Sequence, residues 1–97
     1  MKFRYTKHFL IRAKNRDIPK IYAPKIFKES QRKYYDILSQ RHIAIAHIYL
    51  RNKARNIVVA YDIIGEEIEF VTIHEIRAKE IDNKINSGRW VIYEETN

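Results

Sequence analysis

Gly65-Glu66 separates two apolar, strand-like runs, Asn56–Ile64 and Glu67–His74, and nothing else in the chain constrains its fold as tightly. A two-residue link with Gly first suits a type II′ turn, whose first central residue needs φ > 0 and whose twist matches that of two antiparallel strands. The two runs are therefore expected to form a hairpin. A third run, His42–Leu50, has the same Ile- and Ala-rich character and is too uniformly apolar to have one wet face. Small residues inside these strands (Ala44, Ala46 and Ala60) leave room for a helix to pack close to the sheet.

The flanks read as helices and shorter strands. Lys2–Tyr5 forms a short strand, and Thr6 is placed to cap a helix over Lys7–Arg16. Within that helix Phe9, Leu10 and Ala13 fall on one side, while His8, Arg12 and Asn15 share the neighbouring edge. Asp17 and Pro19 close it. A second helix runs from Pro19 towards Ser30 on Ile18, Ile21, Tyr22 and Ile26, with a kink or restart expected at Pro24. Tyr34–Leu38 is a strand and Ser39-Gln40-Arg41 its turn. A third helix, Ile76–Ser87, buries Ala78, Ile81 and Ile85, and Gly88 ends it. Trp90–Glu94 makes a last strand. The order β-α-α-β-β-β-β-α-β predicts an α+β fold, with two N-terminal helices and one C-terminal helix on an antiparallel sheet.

Ninety-seven residues form one domain. Cys is absent, so there is no disulfide framework, and the chain suits a reducing cytoplasm. No leader-like N-terminus and no membrane-length apolar run is present. The net charge of +7 is high for this length and attracts nucleic acid or an acidic protein. Acids gather at Glu66-Glu67-Glu69 and Glu94-Glu95, whereas bases fill the first helix and the Arg51–Arg55 segment, read as a loop at a hairpin tip. Such segregation implies a cationic face, and a solvated basic surface without a ligand is the plainer alternative.

Metal ligation finds little support. His42 and His47 lie five apart on one strand and point to opposite faces, and no His or Cys spacing matches a metal motif, so neither metal nor cofactor is expected. No Gly-rich phosphate loop opens a helix, and Ser30, Ser39 and Ser87 read as turn or cap residues. RNA cleavage by the substrate's own 2′-hydroxyl asks for less. It needs groups that move protons, such as His, Tyr or Lys, and Arg to hold the phosphorane. His8, Arg12, Lys53, Arg55, Tyr61, His74, Arg77, Arg89 and Tyr93 supply those types. Trp90 reads as core rather than a base-stacking platform. His8 and Arg12 equally suit a solvated helix edge, and His74 a structural histidine.

In Lys7-His8, Arg12 and Arg16-Asp17-Ile18, then Tyr35-Asp36, Ile57–Tyr61 and Phe70-Val71-Thr72-Ile73-His74, the chain resembles the RelE/ParE/BrnT superfamily of small toxins. More closely it resembles an uncharacterised branch of it. Asp17 stands where that pattern usually has Gly. The resemblance implies a RelE-like fold. It also implies a metal-independent endoribonuclease, cytoplasmic and without a cofactor, neutralised by an acidic antitoxin encoded nearby. Carried over by position, the catalytic candidates are His8, Arg12, His74, Arg89 and Tyr93. Arg16, Arg51, Lys53, Arg55 and Arg77 are the candidates for RNA contact. A basic nucleic-acid- or protein-binding module without turnover, or a small oligomerising structural protein, remains the alternative.

Overall fold

A computed structural model describes residues 1–93. The expected α+β architecture is present: strands β1 (Lys2–Tyr5), β2 (Lys33–Asp36), β3 (Arg41–Leu50), β4 (Lys53–Ile64), β5 (Glu67–Glu75) and β6 (Trp90–Ile92), with helices α1 (Lys7–Asn15), α2 (Tyr22–Glu29) and α3 (Ala78–Asn86). The six strands make one sheet in the order β1-β5-β4-β3-β2-β6. The β4–β5 hairpin closes through Gly65 at φ +60, as a type II′ turn requires, with Ile64 opposite Glu67. Among the described residues no helix is long and apolar enough to cross a membrane.

Several details depart from the sequence reading. The sheet is mixed, because β1 runs parallel to β5 with Lys2 opposite Glu67. Alternation cannot distinguish the two directions for a four-residue strand. α2 begins at Tyr22 and runs through Pro24 without the expected interruption. The segment before Tyr22 is turn, so Pro24 sits in the first turn of α2, where its missing N–H would have had no partner. Lys53 and Arg55 are not loop residues. Arg51 (φ 52) and Asn52 (φ 61) make a tight turn by themselves, and the strand resumes at Lys53 opposite Leu50. Ala78 is exposed, and α3 buries none of its residues fully. The expected strand beyond Tyr93 falls outside the described residues.

The two sheet faces carry different cores. One packs α1 and α2 over Ile57, Val59, Tyr61, Ile68, Phe70 and Ile73, and Ala44 and Ala46 admit α2 as the small residues imply. Phe70 is its hub, with ring centroids of Phe3, Tyr5, Phe9, Phe27 and Tyr61 between 5.6 and 6.4 Å away. The other face holds the smaller cluster of Tyr34, Ile43, Val58, Ile76 and Trp90, with Ile81 and Ile85 of α3 resting on it. Because α3 covers only part of that face, an open depression remains beside it. α1 lies along the edge of β5 beyond the end of β1: Thr6 N–H donates to Phe70 C=O and Arg16 Nη1 to Ile73 C=O.

Candidate functional site

The depression is a cleft of about 600 Å³ crossing the sheet from α1 to β6. Its floor is apolar, made by Ile43, Val58, Ala60 and Val71. Its rim is polar, with Arg41, Lys84 and Arg89 as its cations beside His8, His74, Thr72, Ser39 and Asp36. Seven elements or their ends therefore meet there, which no local motif could encode.

A bulge shapes one wall. Ala60 lies opposite Thr72 but Tyr61 opposite Phe70, so Val71 is an extra residue in β5. A bulge bends its strand and re-aims neighbouring side chains. Here it brings Val71 and Thr72 to the cleft together, with His74 two residues on from Thr72 and on the same face. His8 arrives from α1, which lies along β5. Thr6 Oγ1 accepts from Phe9 N–H and starts α1, which sets His8 in the first helical turn at the cleft rim. His8 and His74 thus share one cleft on one side of the sheet.

The electrostatics of the cleft act on His74. His74 is about half-buried, and that burial is the main reason its pKa is pushed below the ordinary histidine value. Arg16 and Lys84 push it further down, and Glu80 partly opposes them. His74 is therefore neutral at pH 7. His8 stands exposed to water.

Among the described residues Asp36 is the one carboxylate lining the cleft, and it is buried and fully engaged. Arg89 Nε lies 3.0 Å from Oδ1, and Arg89 Nη2 lies 3.0 Å from Oδ2. Oδ1 also accepts from the N–H groups of Leu38 and Ser39, forming an Asx turn that starts the β2–β3 connection. Arg41 lines the cleft with its Nε making no hydrogen bond, the nearest carboxylate oxygen being Asp62 Oδ2 at 3.8 Å. Lys84 Nζ rests 5.6 Å above the Trp90 ring, which is itself core and stacked on Tyr34.

The expected site residues divide accordingly. His8, His74 and Arg89 all line the cleft, but Arg89 clasps Asp36 where a free phosphate clamp was expected. Arg12 is exposed on α1 and does not line the cleft. Tyr93 lies across the sheet, its ring 4.5 Å from that of His42, because β6 alternates faces and Trp90 takes the cleft side. The candidate RNA-binding arginines are largely engaged within the fold. Arg16 holds Ile73 C=O, Arg51 holds Asp17 C=O, and Arg55 holds both Leu50 C=O and Glu75. Arg77 is exposed and lies 3.8 Å from Glu80, while Lys53 is exposed in β4.

Arg41, Lys84 and Thr72 are cleft residues that sequence reasoning passed over. Thr72 was legible, since Thr72 and His74 must share a face of any strand. Lys84 and Arg41 had no such signal, because their approach depends on how α3 and the β2–β3 turn fold back. Among the described residues no group of three or more His, Asp or Glu side chains could hold a metal ion. Compared with known proteins, the chain matches no family model, no curated protein and no solved structure.

Proposed function

We propose that this chain is a metal-independent endoribonuclease, the toxin of a toxin–antitoxin pair, which cleaves RNA through attack of the 2′-hydroxyl on the adjacent phosphodiester. The observation that carries this reading is the meeting of His8 and His74, from separate elements, in one cationic cleft. The resemblance of the Lys7-His8 helix and the Val71–His74 strand end to small toxins supports it.

The neutral His74 is suited to take the 2′-hydroxyl proton as the new oxygen–phosphorus bond forms. His8 gives a proton to the departing 5′-oxygen as the old bond breaks. The products are a 2′,3′-cyclic phosphate and a free 5′-hydroxyl. Lys84 and Arg41, both on the rim, supply the positive charge that the crowded phosphorane needs. Arg89 acts indirectly by holding Asp36 and the turn that carries Ser39. The positive end of α1, where Thr6 and His8 meet the cleft, favours the same anion.

A second reading keeps the cleft and drops turnover. It is favoured by Arg89, whose fork is closed on Asp36 and so is not poised for a phosphate. One experiment separates the two. Purified protein is incubated with mixed-sequence RNA in EDTA, and the 3′ ends are read for cyclic phosphate. Cleavage that falls about 10²–10⁴-fold in both His8→Ala and His74→Ala supports the nuclease. Bound but intact RNA supports the binder. Cleavage unaffected by either substitution moves the active site away from the cleft.

A further inference from the structure

β3 is ten residues long, yet β2 pairs only with Arg41–Ala44 of it. Backbone bonds fix which residues face the gap. Tyr93 N–H donates to Lys33 C=O, and Ile37 N–H donates to Arg89 C=O, so the odd-numbered residues of β2 turn towards β6. Tyr34 and Asp36 therefore turn towards β3, where Ile43 and Arg41 face them. By the alternation of an antiparallel ladder, Ile45, His47 and Tyr49 point the same way, past the end of β2. Among the described residues nothing pairs with the backbone of those three. Ala46, Ile48 and Leu50 face β4 instead.

Exposed sheet edges are usually blunted by brevity, charge, Pro or a bulge. The outer strands of this sheet follow that practice, for β1 has four residues including Lys2 and Arg4, and β6 has three. The free stretch of β3, Ile45-Ala46-His47-Ile48-Tyr49, has no Lys, Arg, Asp, Glu or Pro and no irregularity of register. Tyr49 is 69% exposed on it. A groove of about 470 Å³ opens at its start, walled by Glu29, Gln31 and Arg32 on one side and Ile81 on the other. It shares no lining residue with the cleft, so binding at this edge is independent of the nuclease reading.

We propose that the outer edge of β3 accepts an added strand from an acidic protein partner. Strand addition supplies main-chain hydrogen bonds along the edge, and side-chain pockets beside it choose the sequence. The charge selects the partner. Glu29, the groove's carboxylate, is met by Lys25 at 3.7 Å, whereas Arg32 enters no ion pair among the described residues. The groove is thus left positive on a chain of net charge +7. Two copies meeting at this edge would bring like charges together, while an acidic segment places a carboxylate at Arg32.

Amide exchange read by NMR on the full ¹⁵N-labelled chain tests this, because only alternate residues should respond. The probe is a blocked peptide of about seven residues, alternating Glu and Val, with a Lys and Val counterpart as control. In the free protein the amides of Ile45, His47 and Tyr49 should exchange fast and those of Ala46, Ile48 and Leu50 slowly. Millimolar Glu–Val peptide should slow the first three, and the Lys–Val peptide should not. Tyr49→Pro removes an outward N–H without touching the β3–β4 ladder and should weaken the peptide about tenfold, while Tyr49→Phe should not. If Tyr49→Pro disturbs the slow amides, a Glu–Val peptide N-methylated at alternate residues replaces it and should fail to bind the unaltered chain. Equal protection by both peptides, or protection by neither, overturns the proposal. Outward amides whose protection rises with protein concentration would assign the edge to a second copy and overturn it equally.

Discussion

Arg89 grips Asp36 at two points, Nε to Oδ1 and Nη2 to Oδ2, both at 3.0 Å, and so ties the start of β6 to the end of β2 across 53 positions of sequence. Asp36 is almost wholly buried while Arg89 is about a third exposed, so the carboxylate depends on its partner more than the reverse. Together they fix the turn from which Ser39 and Arg41 enter the cleft. A residue expected to hold a phosphorane thus holds the frame of the site.

Removing the pair should cost stability in a graded way. Asp36→Asn keeps an acceptor for Leu38 and Ser39 but loses the charge, and should cost about 2 kcal/mol. That is less than the usual 3–5 for a broken buried pair, because Arg89 can rehydrate. Asp36→Ala also orphans the turn amides and should cost about 1 kcal/mol more. Burial alone would raise the Asp36 pKa, but Arg89 and the N–H groups of Ser39 and Leu38 outweigh it and hold the carboxyl well below the usual range. Its stabilisation is therefore complete above about pH 4 and fades as the pH falls towards the folded value. Urea melts from pH 7 to pH 2 should show the advantage over Asp36→Asn shrinking only below about pH 4. A constant gap across that range would contradict the assignment.

The fold was legible where the pattern was local. Gly65-Glu66 announced its hairpin, Thr6 its cap and Gly88 its helix end, because each needs only a turn's worth of chain. Direction and reach were not legible. Nothing in Lys2–Tyr5 distinguishes parallel from antiparallel pairing, and nothing in Arg51–Arg55 distinguishes a loop from two strand ends joined by Arg51-Asn52. The histidines line one cleft because α1 starts beside the strand, β5, whose end carries His74. Tyr93 was turned away from that site, and Arg89 was engaged at its rim. Strand alternation put Tyr93 on the far face, and a buried aspartate 53 residues away claimed Arg89.

Asp17 occupies a left-handed conformation at φ 55, immediately after α1. Side chains resist that region and Gly does not, although Asp tolerates it better than most. Asp17→Gly should therefore raise stability by about 0.5–1 kcal/mol, or roughly 2–6 °C in Tm for a domain of this size. The contact from Arg51 is unaffected, since it uses the Asp17 carbonyl. Thermal melts of the two proteins check this, and a lower Tm would mean the Asp17 side chain makes an interaction worth more than its backbone strain.

The two cores should respond unequally. Phe70 is fully buried at the centre of five other rings, so Phe70→Ala should cost about 3–5 kcal/mol. Ile81 is only partly buried on a helix with no fully buried residue, so Ile81→Ala should cost about 1 kcal/mol. Denaturant midpoints measure both. Equal losses would show that α3 is as integral to the fold as α1 and α2.

The titration of His74 joins the stability of the fold to the chemistry proposed for it. Burial first, then Arg16 and Lys84, depress its pKa against the opposing pull of Glu80. Folded His74 resists a proton that the unfolded chain accepts near pH 6.5, so no cost arises above that value. As the pH falls below about 6.5 the unfolded state binds the proton first, and stability declines until the folded pKa is passed. Following the imidazole Cε1–H resonance by NMR should show His74 titrating below 6.5, its ordinary value. Lys84→Ala should move that midpoint up and Glu80→Ala should move it down, by the signs of the charges removed. Were RNA cleavage to depend on neutral His74, the acid limb of its pH–rate profile should shift with those two variants in the same directions. A profile that stays fixed while the resonance moves would separate His74 from the proton transfer and leave it a structural neighbour of the cleft.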